Sequence, residues 1–583
     1  MKVKSLILAM AACAGLFTAC SDEIDQVIGN GNETKADAYM TLVFTTPSSS
    51  GTRAAAGENG DGTQDAITGE YEINDANIFL FQDDLLKQIV TKSGKSITES
   101  DGSGNAQKVY TAEKVQVSTG TFKVYVVVNE TTNQELTKLP TGTSLASFQA
   151  KVFAAAQTTG DYCRTGHFLM TNAFVMGNGD PAGTEGIVTI TDDNTVDNPA
   201  KVSINVERAA AKIAMTIPTG QTVEIKNAGG EKIGTAFFKS YKVINTRNDA
   251  FFLKRVSASI TDFTPTIGGD ETNSGPTATN YVLENRFNEK SAFIGQKSDW
   301  EAAEGFYQKY YSRKYNTYVA WRKMESSENQ TLAYCLENTM KQNDQVEGFA
   351  TTVIFRAIYT PEASLIKGKK PADWDGTFYR YPKGSGESVF YYTLQDLIDA
   401  IYGSMDEAKK QGAFGLTIDM DASAIAAHLS GITQKDLYET YSTEQYPQGY
   451  CYYNYIIRHA NNNDNELRGV MEHVIVRNNV YQLAVNSVAG VGSISSGTNG
   501  PSAEDMIPDP NNPGQEIPGP GVDEPENGSN PEIPGVVDPE GPVEPETPII
   551  PIDPETPTEQ QKTYLEVSVK VLKWVLRSNN MDL

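Results

Sequence analysis

The sequence predicts a mainly β protein: two tandem β-sandwiches with a few short helices, then a Pro-rich spacer and a C-terminal strand. Three observations carry this. Short apolar or alternating runs recur from Tyr71 to about Ser493, separated by clusters of Gly, Asn, Asp and Thr, as sandwich strands are. From Pro501 to Thr558 the composition changes abruptly, to 16 of the chain's 27 prolines, 14 Asp and Glu, and no Lys or Arg. In the last stretch, 563–583, Leu565, Val567, Val569 and Val571 alternate with Glu566, Ser568 and Lys570, the period of a half-buried strand.

At 583 residues the chain is too long for one hydrophobic core. A net charge of -26 argues against nucleic acid or an anionic membrane surface as partner, because both repel such a chain. The leader has Lys2 and Lys4, an apolar run too short to span a bilayer stably, and small residues before a cysteine, the pattern of a signal peptide over 1–19. Leu16 to Cys20 resembles a lipobox, with Phe17 in place of the usual aliphatic residue, and makes Cys20 the lipidated first residue. Ser21 to Glu23 is similar to the acidic export signal of surface lipoproteins in Bacteroidetes. Beyond the leader, Cys163, Cys335 and Cys451 form an odd set without metal-site spacing, and buried thiols are expected.

Taken in order, Met40, Leu42 and Phe44 alternate with Thr41, Val43 and Thr45 in a strand that Pro47 ends. A Ser-, Gly- and Ala-rich stretch follows, with Arg53 the only basic residue between Lys35 and Lys87. A solitary Arg in such a linker reads either as a merely solvated residue or as the site of an Arg-specific or trypsin-like protease, whose cut between Arg53 and Ala54 would take away the lipid and this strand together. Strands are then predicted at ANIFLF, KQIVT, KVYTAEKVQVS, TFKVYVVVNE, GIVTITD and KVSINVE, with one helix at SLASFQAKVFAAAQ. A second domain is expected from Val206 onwards, with strands at AKIAMTI, YKVINT, ATTVIFRAIYT, YCYYNYIIRH and HVIVRNNVYQLAVNSV. Its helix, TLQDLIDAIYGSMDEAKKQG, is capped by Thr393 with Asp396, buries Leu394, Leu397, Ile398 and Ile401, and ends at Gly412. The spacer is expected to be extended and coreless, since proline removes backbone donors and like charges repel. Fully extended, at ~3.1 Å per residue, it could span well over 100 Å, or less if partly tacked down.

Chemistry is hard to place on this chain. Its four histidines, His167, His428, His459 and His473, sit in no nucleophile or metal context, and the Cys163/His167 spacing lacks further ligands. The run from Asp419 begins like a calcium loop but has Ala424 and Ser430 where Gly and Glu are needed. An aromatic and basic stretch, including Tyr310, Tyr311, Trp321 and Arg322, reads either as packed strand and loop or as a glycan or protein contact. No nucleophile elbow or phosphate loop is present, so no enzyme, cofactor or metal is expected.

FKVYVVVNE from Phe122, VERAAAKIAM from Val206, VIVRNNVYQLAVNSV from Val474, and YLEVSVKVLKW with the final MDL occur in the order found in the fimbrillins of Bacteroidales, the shaft subunits of type V pili. The chain resembles that family over nearly its whole length, most closely the major subunits of the short fimbriae of Porphyromonas. The resemblance implies transthyretin-like sandwiches at 54–206 and 207–500, a propeptide at 20–53 carrying the removable strand, a spacer at 501–562 and a donor strand at 563–583. It also implies an outer-membrane lipoprotein precursor exported through the periplasm, polymerisation with other copies by donor-strand exchange, accessory tip and anchor pilins, and a role in adhesion. The competing reading is a surface lipoprotein that stays anchored through Cys20 and binds glycans or proteins. Full burial of Leu565, Val567, Val569 and Val571 in a neighbour's groove would contribute ~1.5–3 kcal/mol each before ordering costs. Because Leu572 and Trp574 continue in the opposite phase, a bulge or crossover is expected near Val571.

Overall fold

The computed structural model describes residues 38–573 apart from 48–65, 258–281, 297–309, 519–547 and a number of shorter stretches, among them 559–564. Within the described residues the fold is mainly β. The first half, to Arg208, holds two facing sheets. One runs Ala200–Asn205, Ala38–Pro47, Ala106–Ala112, Ile97–Asp101, with Val115–Val117 also on the first strand. The other runs Glu207–Arg208, Met170–Thr171, Gly120–Val128, Asp75–Gln82, Leu85–Ser93, with Ile187–Ile190 on Gly120–Val128. Met40 and Leu42 meet Ile78, Leu80, Val124 and Val126 between them.

The second sheet is covered on its other face too, where Phe79, Phe81 and Tyr125 pack on Leu145 and Phe148. That is why ANIFLF and VYVVV read as continuous apolar runs, since both faces lose water. Leu145 and Phe148 belong to a helix shorter than its apolar spacing predicts. Ser144 caps it through the Ser147 N–H, and it ends at Gln149. Val152 and Phe153 pair instead with Phe251 and Ala250, a tertiary ladder overriding a helical pattern in β-favouring residues.

The second half is built on a larger sheet, ordered Gln330–Leu336, Ala210–Thr216, Asn479–Val488, Thr222–Lys226, Lys232–Ile244, Thr352–Pro361, Tyr450–Ile456. The late strand begins at Asn479 rather than His473, because Asn478 takes a left-handed φ of 60° that breaks the extended run. A lobe with its own apolar cluster, including Leu397, Ile398, Phe414 and Leu437, is appended between Ile366 and Tyr446. Its helix is capped as expected, the Asp396 N–H donating to Thr393 Oγ1 at 3.0 Å, but Gly403 at φ 77° splits it into Leu394–Tyr402 and Met405–Lys410. The rejected calcium loop turns out to be a helix start, where Asp421 Oδ1 accepts from the Ala424 N–H at 2.8 Å. No helix among the described residues is long and apolar enough to cross a membrane.

Two parts of the spacer depart from a free extended chain. Met506–Pro508 pairs antiparallel with Glu516–Pro518. Further on, 548–558 lies against the second half, with Ile549 and Ile550 on its main core and Ile552 on a neighbouring cluster.

Candidate functional site

The first strand, Ala38–Pro47, is interior to its sheet. On one side it pairs in parallel with Ala200–Asn205, Met40 opposite Ala200 and Phe44 opposite Ile204. On the other it is antiparallel to Ala106–Ala112, Phe44 opposite Tyr110, and to Val115–Val117, Met40 opposite Val115. Ala38, Met40 and Leu42 are fully buried, and Thr41 Oγ1 donates to Ala112 O at 2.8 Å on the other face. Lifting this strand out would expose two ladder edges and an apolar floor at once.

The terminal strand, Leu565–Lys573, lies on the chain's own body. It is antiparallel to Asn479–Val488, with Leu565 opposite Val488, Val567 opposite Val485, Val569 opposite Leu483, Val571 opposite Tyr481 and Leu572 opposite Val480. Pairing runs through Val571 without interruption. The expected break is absent there, and the register shift falls on the partner strand, between Val485 and Ser487. Backbone ladders do not depend on which face is apolar, so a change of hydrophobic phase need not break the strand. Cys20, Arg53, Ala54 and Trp574 lie outside the described residues.

Joining the halves is a set of buried charges that sequence reasoning did not place. Glu70 accepts from Lys212 Nζ at 2.8 Å and Tyr334 Oη at 2.5 Å, while its backbone oxygen accepts from Arg208 Nε at 2.6 Å. Arg208 Nη1 also donates to Asn478 Oδ1 at 3.2 Å, and burial pulls its guanidinium down to about 10 against the opposing pull of Glu70. Lys254 pairs with Glu207 at 2.6 Å. Beside this joint, and within the second half, Arg477 holds Glu337 through Nε at 2.6 Å and Nη2 at 2.7 Å, and donates to the carbonyls of Phe251 and Phe252. So the polar residues of VERAAAK and VRNN meet in space; the signal was there as charge inside apolar runs, a pattern that only pairing makes tolerable.

Cys163, Cys335 and Cys451 are buried free thiols, and burial pushes Cys451 up to about 12. The Cys163/His167 spacing is that of a hairpin, Cys163–Arg164 against His167–Phe168. Tyr310, Tyr311, Trp321, Tyr450, Tyr452 and Tyr453 are buried and offer no exposed platform. Among the described residues no three His, Cys, Asp or Glu side chains are grouped to hold a metal ion.

Fold and site together define a structural β protein with one strand enclosed near its start and another laid on at its end. The family models identify it further. Residues 38–208 match the model of the major fimbrial subunit protein (FimA), and residues 444–580 match that of the major fimbrial subunit protein type IV, fimbrillin, C-terminal. The chain belongs to this family of major fimbrial subunits, whose members are structural proteins and not enzymes. No curated protein matches the chain. Similar solved structures include a fimbrilin (FimA) from Porphyromonas gingivalis W83, 13% identical over 93% of this chain and 100% of that one, TM-score 0.33. The tip fimbrial protein Mfa3 of P. gingivalis is 10% identical over 77% and 95%, TM-score 0.31. A fimbrial assembly protein of Parabacteroides distasonis is 15% identical over 56% and 85%, TM-score 0.27. Scores this low carry no functional argument.

Proposed function

We propose that this major fimbrial subunit is the shaft protein of a cell-surface pilus and polymerises by exchanging its first strand for the terminal strand of another copy. The precursor is lipidated at Cys20, passes through the periplasm to the outer membrane, and is cut between Arg53 and Ala54 by an Arg-specific or trypsin-like protease. Transthyretin-like domains at 54–206 and 207–500 remain, together with the spacer and donor strand. Tip and anchor pilins terminate the homopolymer, which supports adhesion.

The observation that carries this reading is the position of Ala38–Pro47. An interior strand with ladders on both sides and its apolar face sealed leaves, on removal, a slot that only another strand of the same period can fill. The terminal strand matches it in kind: Leu565, Val567, Val569 and Val571 repeat every second residue, as Ala38, Met40 and Leu42 do.

The test is to express residues 21–583, treat them with trypsin and follow size. Cleavage after Arg53 is expected to convert monomers into a ladder of polymers, and deletion of 563–583 to abolish that ladder. Monomers from the cleaved full chain would sink the proposal.

A further inference from the structure

The stretch just before the terminal strand carries proline every third residue, at Pro548, Pro551, Pro554 and Pro557. Pro548 and Pro554 are buried while Pro551 is exposed, and each ring fixes its own φ. Such a stretch is already stiff and loses little entropy when it docks.

Its contacts are with its own subunit. The Glu347 N–H donates to Thr556 O at 2.9 Å, the Gly348 N–H to Pro554 O at 3.0 Å, and the Thr558 N–H to Gln345 O at 3.2 Å. Glu555 Oε1 accepts from the Gly295 N–H at 3.1 Å. At the other end the Ile552 N–H donates to Gly497 O at 2.9 Å. Gly497 is required there, because its φ is 79° and a Cβ would stand 2.8 Å from Ile552 Cγ1.

The bond between Gly497 and Ile552 places the two ends of the acidic segment side by side. We propose that 548–558 is a docking peptide that fixes the base of the terminal strand to its own subunit. The segment 499–547 is then a loop closed at its foot rather than a tether, and the strand reaches a neighbour across 559–564 alone. The part of this inference that concerns a neighbour rests on the strand-exchange reading above. From Thr558 to Leu565 the chain can extend about 25 Å, against well over 100 Å for a free spacer. The receiving slot of the next subunit therefore lies within that shorter distance of Thr558.

The experiment uses full-length chains and hydrogen exchange at the Glu347 and Gly348 amides, which report docking without reference to any polymer. Ile552→Asp and, independently, Gly497→Val are expected to speed exchange at both amides by about tenfold or more. Val569→Pro, which breaks the terminal ladder opposite Leu483, is expected to leave them unchanged. Unchanged exchange in both undocking variants, or faster exchange in Val569→Pro, overturns the docking peptide. A chain lacking 501–545 is then polymerised beside the unmodified one. An identical subunit repeat supports a loop closed at its foot, whereas a shorter repeat, or loss of polymer from the deleted chain alone, overturns it. Failure of the unmodified chain to polymerise counts against strand exchange and leaves the amide result to decide docking.

Discussion

The first and terminal strands have similar apolar periods but opposite places in the fold. Ala38–Pro47 is enclosed, with a parallel ladder on one side, antiparallel ladders on the other, and Ala38, Met40 and Leu42 sealed beneath. Among the described residues, Leu565–Lys573 has a single ladder, to Asn479–Val488. Removing the enclosed strand breaks two ladders and floods a core, while removing the other breaks one. The difference is one of enclosure: the first strand cannot leave without opening a core, and the terminal one can.

The largest expected effect tests that contrast directly. A chain without residues 1–53 and without 563–583 should lose cooperative thermal unfolding of its first half or aggregate, since Met40 and Leu42 alone contribute ~1.5–3 kcal/mol each by burial. The chain lacking only 563–583 should keep its transition, lowered by a few degrees. Equal losses in the two chains would end the distinction.

Next in size is the joint. Glu70→Ala leaves Lys212 buried without its carboxylate, and a loss of about 3–5 kcal/mol is expected in urea denaturation. An unchanged midpoint would remove Glu70 from the set of groups that hold the halves together. Leu42→Ala should cost about 2–5 kcal/mol, because the enclosed site cannot collapse freely around the lost methyls. Val569→Ala in the terminal strand should cost no more than about 1 kcal/mol. The same loss at both would mean that the terminal strand is enclosed as firmly as the first.

A pH effect sharpens the picture of the terminal strand's base. Burial, with Asp553 adding to it, raises the Glu347 carboxyl from 4.5 to about 7. A carboxyl whose folded value is raised favours the folded form when protonated; that contribution is complete below 4.5 and is lost as pH rises through about 7. Glu347→Gln should therefore match the wild-type melting temperature below pH 4.5 and exceed it above pH 7. A constant difference across that range would contradict the shift. Asp421→Ala, smallest of all, should cost about 1 kcal/mol, confined to the helical lobe.

Much of the β framework was legible because strands bury alternate residues or, between two covered layers, all of them. Met40 and Leu42 announce the first strand, and Pro47 its end. The helix at Leu145 was overextended because Val152 fits a helical period by position, while its pairing with Phe251 lies 99 residues away and leaves no local trace. The short helices after Asp421 and Thr433 went unread because their caps resemble ordinary polar loop. Least legible was the joint. Glu70, Lys212, Glu207 and Lys254 are written as charges, and only the folded chain shows each opposite its partner. The docked segment left a small signal, Ile549, Ile550 and Ile552, within a stretch whose overall composition suggests a free chain.

The hydrogen bond from Ile552 to Gly497 has a mechanical consequence. When a filament assembled through the terminal strand is pulled along its length, tension leaves that strand through 559–564 and enters the subunit at Gln345, Glu347 and Gly348, where the docked backbone is loaded. With the segment closed at Gly497 and Ile552 as proposed, 499–547 is off this path, and its length and sequence can change without altering the stiffness of the shaft.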